Sequence, residues 1–160
     1  MESIGYLAGD FDLFNVGHLN AIQYAKSRCD FLIVGVMSDE VFYTERRLKP
    51  VIPFSERIEI VRCIRFVDAA VAETTANKLD MWRELHLQYL FEDDHAQNSV
   101  TAGLTETEML AAGVELIHLP HLPTTSSTGL RETIANINRL AGQMCLDVSQ
   151  ASFEMRRALQ

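Results

Sequence analysis

Apolar runs of strand length alternate along this chain with stretches whose apolar residues recur at helical spacing. Residues 4–8 form a short buried-type run, and residues 17–28 place Leu19, Ile22 and Tyr24/Ala25 on one helical face. Residues 31–37 are continuously apolar. The three predict a strand–helix–strand unit. The pattern then repeats in looser form: residues 55–65 read as a helix capped by Ser55, 69–72 as a strand, 77–86 as a helix and 88–91 as a strand. Residues 105–112 read as a helix opened by the capping box Thr105…Glu108, 114–119 as a strand and 127–140 as a closing helix.

Five strands alternating with five helices predict an α/β fold, an open parallel five-stranded sheet of Rossmann-like kind with helices on both faces. Such sheets bind ligands in the crevice outside the carboxyl ends of their strands. The polar loops at 9–15, 92–99 and 120–127 follow the first, fourth and fifth strands, so chemistry is expected there. Residues 1–142 read as one domain and 143–160 as a C-terminal helix or linker.

Composition narrows the function classes. With 160 residues, 48% of them hydrophobic, the chain is long enough for one core without disulfides or a structural metal. A net charge of −8 is the wrong sign for binding nucleic-acid phosphates or anionic lipid, so neither nucleic acid nor membrane is an expected partner. Cys29, Cys63 and Cys145 are far apart and lack C-x-x-C spacing, which predicts reduced thiols and a cytoplasmic location. No apolar run approaches the roughly 20 residues that span a bilayer.

Two turns carry the strongest chemical signals. In the first, Gly9, Asp10, Phe11 and Asp12 lead from a strand into a helix opened by Asn15, Gly17 and His18. Asn15 and His18 are three apart at a helix N-terminus, where N–H groups and the macrodipole favour an anion, and Gly17 permits close backbone approach. The bland alternative makes Asn15 a simple cap and packs His18 on the sheet. In the second turn, Thr124, Thr125, Ser126, Ser127 and Thr128 open the last helix, with Arg131 one turn further on. Five hydroxyls exceed what one cap uses; hydroxyls, amides and a cation suit a polyphosphate. A solvated loop with a single cap is the plainer reading.

Arg46, Arg47 and Lys49 form a basic loop, which in an acidic chain is placed to steer an anionic substrate. Arg57 and Arg62 read as helix-surface residues; Arg65, at a helix end, is the better site candidate. Asp93, Asp94 and His95, or His118 and His121, lack the partners at defined spacing that a zinc site requires.

Taken in order, these segments resemble the nucleotidyltransferases of the H-x-G-H class, most closely the glycerol-3-phosphate cytidylyltransferase-like group. The matching parts are 9–18, 30–40, 49–57, 65–68, Asp93–Asp94 and 126–130. The resemblance implies transfer of CMP from CTP to a small phosphorylated or phosphonylated alcohol, such as glycerol 3-phosphate or the hydroxyethylphosphonate of fosfomycin-type pathways. Pyrophosphate leaves, Mg²⁺ rides on the triphosphate, and no covalent enzyme intermediate forms.

It further implies that His18 stabilises the α-phosphate and leaving group, that Lys49 with Arg47 neutralises phosphate charge, and that Ser126, Ser127 and Thr128 hold the triphosphate. Arg65, Asp94 and His121 are expected near the nucleotide, Asp12 near the acceptor or metal. A homodimer is the expected assembly. The chain departs from the family pattern at Asn15, where a first His is usual, at Asp10 in place of Thr, and at Glu92 and His95 around Asp93–Asp94. Two other readings stay open: AMP transfer from ATP, and a nucleotide-binding module whose catalysis has decayed.

Overall fold

The computed structural model describes residues 3–74, 85–92, 107, 111, 113–120 and 125–158, the last of these as backbone alone beyond residue 143. Five strands lie among them: β1 (Ile4–Gly9), β2 (Phe31–Met37), β3 (Ala69–Glu73), β4 (Tyr89–Glu92) and β5 (Glu115–His118). All pair in parallel, in the order β3-β2-β1-β4-β5. From β1 the chain moves outward on one side to β2 and β3, and β4 returns to pair with β1 on the other side. The order therefore reverses between β1 and β4, and a crevice opens outside their carboxyl ends. Gly9 ends one of these strands and Glu92 the other.

Helix α1 (Val16–Lys26) joins β1 to β2; α2 (Asp39–Arg46) and α3 (Phe54–Arg62) lie between β2 and β3. Right-handed crossovers in one direction put their helices on one face. There Ile22, Ala25, Ile58 and Val61 pack with Leu7, Leu32, Val34, Val36 and Phe91 of the sheet. The alternate residues Tyr6, Ile33 and Leu90 face the other side, against Leu87 and Val114. Both faces of the central strands are thus covered, which is why 31–37 reads as unbroken apolar sequence. Gly35 of β2 is required by Tyr6: a Cβ at that position would stand 1.9 Å from the Tyr6 hydroxyl oxygen.

Three differences from the sequence expectation have local causes. Helix α2 was not anticipated; Ser38 caps it by accepting from Val41 N–H at 3.2 Å, and Asp39 and Glu40 supply negative charge to its first turn. Helix α3 starts at Phe54, after Pro53 at the cap position, one residue before the expected Ser55 cap. Ser55 is not needed, because the Asp39 carboxylate accepts from Phe54 N–H at 3.1 Å. The closing helix, α4, runs unbroken from Ser127 to Ala158 rather than ending near residue 140. Gly142 costs such a helix about 1 kcal/mol relative to Ala and does not stop it.

The chain divides into two compact units, Met1–Thr124 and Thr125–Gln160. Each is described by itself below. The expected helices at 77–86 and 105–112 fall almost entirely outside the described residues. No helix of the described residues is long and apolar enough to cross a membrane.

Candidate active site

The 9–18 turn at the carboxyl end of β1 is built on its own polar side chains. Asp10 Oδ1 accepts from Asp12 N–H at 3.1 Å, closing a two-residue turn. Phe11 and Leu13 both take left-handed backbone angles, φ 50° and 51°, a conformation that costs a non-glycine residue about 1–3 kcal/mol unless its surroundings impose it. Here they do: Phe11 is buried in the core, and Asp12 between them is fully buried.

Asn15 then caps α1. Its Oδ1 accepts from Gly17 N–H at 2.9 Å, and its Nδ2 donates to the Leu13 carbonyl at 3.1 Å. In return Asn15 N–H donates to His18 Nδ1 at 3.2 Å, completing a capping box. The His18 ring lies 5.5 Å from Phe11 and 5.4 Å from Phe14, centroid to centroid. An Nδ1 that accepts leaves the ring proton on Nε2. His18 is thus set as an N–H donor at the N-terminus of a helix, where negative charge is favoured. Asn15, which replaces the family's first His, is spent on the cap.

Of the expected site carboxylates, Asp10 stands in the 9–18 turn itself and Asp12 is turned into the protein. Asp12, expected at the acceptor or a metal, accepts from Val51 N–H at 2.9 Å and Ile52 N–H at 2.8 Å, one bond to each oxygen. Asp10 faces Arg46 at 3.8 Å through its second oxygen, which offsets the repulsion that a carboxylate beside a polyphosphate brings. Among the described residues no group of three or more His, Cys, Asp or Glu converges to hold a metal.

Arg57, expected on a helix surface, is fully buried. Its Nε donates to Ile52 O at 2.9 Å, its Nη1 to Asp10 O and its Nη2 to Asp39 at 2.7 Å. One guanidinium thus ties the 9–18 turn, α2 and the 49–53 loop together, between the rings of Phe42 and Phe54. Sequence reasoning missed this because three of the bonding partners are backbone or lie far along the chain. Arg62 is exposed, as expected, and paired with Glu59.

Arg46 ends α2, and Arg47 follows it with a left-handed backbone, φ 57°. Both are exposed, as is Lys49. Lys49 lines an open cleft of about 530 Å³ with Asp39, Tyr43, Pro50 and Val51. The cleft runs along α2 and the 49–53 loop; none of its lining residues comes from the 9–18 turn.

Arg65 is not brought to this end of the sheet. Helix α3 runs back toward the amino ends of the strands, and Asp68, just before β3, bonds to Leu32 N–H at the start of β2. Arg65 is exposed beside it, its guanidinium 4.6 Å over Phe66. In the second unit, Ser126 Oγ accepts from Gly129 N–H at 3.1 Å and so caps α4. Thr125 and Thr128 are exposed, Ser127 and Arg131 half-buried. The expected meeting of this turn with His18 spans the two units. Asp94 and His121 lie outside the described residues.

A five-stranded parallel sheet of this order, with helices between its strands, defines a Rossmann-like α/β protein. The chain belongs to the cytidylyltransferase-like family, whose model matches residues 6–133. It is similar to an ethanolamine-phosphate cytidylyltransferase of Dictyostelium discoideum, 36% identical over 96 residues, 58% of this chain and 26% of that one. It is also 30% identical to the bifunctional protein HldE of Granulibacter bethesdensis over 138 residues, 84% of this chain and 28% of that protein. An FAD synthase of Thermococcus kodakarensis is 39% identical over 62 residues, 39% of this chain and 42% of its own. The matches thus cover about a quarter of the first two relatives and less than half of the third.

Among solved structures, a lipopolysaccharide core biosynthesis protein from Thermoplasma volcanium GSS1 shares the fold, with a TM-score of 0.66 at 18% identity. The match covers 76% of this chain and 99% of that one.

Proposed function

We propose that the chain is a cytidylyltransferase domain that moves CMP from CTP to a small phosphorylated alcohol, releasing pyrophosphate. The observation that carries this reading is the bond from Asn15 N–H to His18 Nδ1, which leaves Nε2 as the donor nitrogen of the ring at the N-terminus of α1. An acceptor phosphate oxygen attacks the α-phosphorus, the bond to the β-phosphate oxygen breaks, and negative charge grows on the bridging and non-bridging oxygens. A donor fixed before the reaction stabilises that charge without reorganisation. Lys49, exposed beside an open cleft, supplies positive charge to the phosphates. In this reading Mg²⁺ would come with the triphosphate of the nucleotide and would supply charge neutralisation there.

The two ethanolamine-phosphate cytidylyltransferases among the relatives, of Dictyostelium discoideum and Arabidopsis thaliana, support a phosphorylated-alcohol acceptor. Glycerol 3-phosphate and 2-hydroxyethylphosphonate are the narrower candidates from the sequence. Similarity to an FAD synthase supports a second reading, AMP transfer from ATP, because the product in that name carries an AMP moiety. Pyrophosphate release with CTP or ATP, Mg²⁺ and a panel of these acceptors tests both. CTP-dependent release with one acceptor is expected. Release with ATP alone reverses the nucleotide assignment, and nucleotide binding without release for any acceptor replaces the enzyme by a binding module.

A further inference from the structure

We infer that Asp12 is a positioning residue for nucleotidyl transfer, acting through Lys49 rather than by touching acceptor or metal. The inference rests on the reading of Lys49 as the cation on the phosphates. The segment Pro50-Val51-Ile52-Pro53 has only two backbone N–H groups, since proline has none. Both donate to the same carboxylate, Val51 to one oxygen of Asp12 and Ile52 to the other. Lys49 precedes Pro50, so its backbone is held to extended conformations, and Pro50 fixes its own φ near −65°. The carboxylate therefore grips the loop two residues beyond Lys49 through a stiff joint. Asp12 itself belongs to the turn that ends in His18, and its own N–H is held by Asp10. Asp12 thus fixes, together with the buried Arg57, the separation between the loop carrying the cation and the turn carrying the donor, and it alone grips the loop by the N–H groups next to Lys49.

A carboxylate is the side chain this arrangement needs. Two converging N–H donors require two acceptor oxygens; asparagine has the same shape but one oxygen, and its NH₂ would face an N–H. Full burial of Asp12 keeps its oxygens from solvent, whereas an acceptor-binding or metal-binding carboxylate must present at least one.

The test is a double-mutant cycle on pyrophosphate release at saturating CTP, with Asp12→Asn, Lys49→Ala and the pair. Asp12→Asn is expected to lower kcat by about tenfold or more, the scale that a small misplacement of a catalytic group costs. The same substitution in the Lys49→Ala background is expected to change kcat by less than about twofold. An equal loss in both backgrounds shows that Asp12 acts independently of Lys49 and overturns the inference. So does an unchanged kcat for Asp12→Asn when Lys49→Ala is slow. Should Lys49→Ala itself leave kcat unchanged, the role given to Lys49 fails and the inference with it.

Val51→Pro provides a second arm that leaves the carboxylate in place and removes one of its donors from an exposed position. A Lys49-dependent loss of kcat is expected there too, and full activity overturns the inference even where Asp12→Asn does not fold.

Discussion

The two ends of the sheet are both stitched by carboxylates, and they are stitched differently. At the amino end, Asp30 accepts from Ser3 N–H and Ser3 Oγ, each at 2.8 Å, and Asp68 accepts from Leu32 N–H at 2.6 Å and Lys26 Nζ at 2.7 Å. These groups are near solvent; the ties to Ser3 and Leu32 join strand starts already brought together by the sheet, and the tie to Lys26 holds the end of α1. At the carboxyl end, Asp12 and Arg57 are fully buried and their bonds join segments that the sheet does not align: the 9–18 turn, the start of α2 and the 49–53 loop. Burial decides what such ties are worth. An exposed ion pair contributes about 0–1 kcal/mol, whereas each buried polar group left without its partner costs about 1–3 kcal/mol. The end that holds the candidate site is the one held by the costlier device.

That contrast is tested most sharply at Arg57. Arg57→Ala strips donors from Ile52 O, Asp10 O and the partly exposed Asp39 carboxylate, and a loss of about 2–4 kcal/mol in urea denaturation is expected, mainly from the two backbone carbonyls left without their donor. Arg62→Ala on the same helix, which breaks only the exposed pair with Glu59, is expected to cost less than about 1 kcal/mol. Equal losses would erase the distinction between buried and exposed ties.

Next in size is an effect on rate. His18→Ala is expected to lower kcat for pyrophosphate release by about a hundredfold or more, with a smaller change in nucleotide affinity, because its Nε2 proton meets charge that develops during transfer. An unchanged kcat would remove His18 from the mechanism and leave its ring as packing between Phe11 and Phe14.

The contrast also explains what could be read from the chain alone. Residues 31–37 form β2 to the residue, because a strand buried on both faces writes its burial into its own sequence. The 9–18 turn was legible for a related reason: Asn15 and His18 meet through a helix cap, an interaction three residues long. Helix α2 was passed over although Ser38, Asp39 and Glu40 announce its start; with only Val41 and Phe42 buried in eight residues, its apolar periodicity is too short to register.

Arg57 and Asp12 were misplaced because their burial depends on partners remote in sequence. Asp12 reaches 39 and 40 residues ahead, and Arg57 reaches 47 back to Asp10. Arg65 was drawn into the site by its motif. The direction of α3 takes it instead to the other end of the sheet.

The smallest effect belongs to that other end and depends on pH. Desolvation, the largest single influence on the Asp68 carboxyl, raises its pKa; the Leu32 N–H, the Lys26 hydrogen bond and the Lys26 charge together outweigh it and leave the pKa below its ordinary 3.8. A carboxylate with a lowered folded-state pKa stabilises the fold at pH above its unfolded value, and that contribution disappears as pH falls through the folded value. Asp68→Asn keeps an oxygen for Leu32 N–H but removes the charge facing Lys26. It is expected to lower stability by about 0.5–1 kcal/mol at pH 7. The difference from the parent should shrink through the acid range below pH 3.8 and close once Asp68 is protonated in both states. Raising salt to about 1 M, where the screening length is near 3 Å, should shrink it at pH 7 as well. The penalty of Arg57→Ala should respond far less to salt, since two of its three bonds go to uncharged backbone carbonyls around a buried guanidinium. Thermal melts of both variants across pH and salt check this, and a salt-insensitive Asp68 penalty would mean that the amino end, too, is held by a tie closed to solvent.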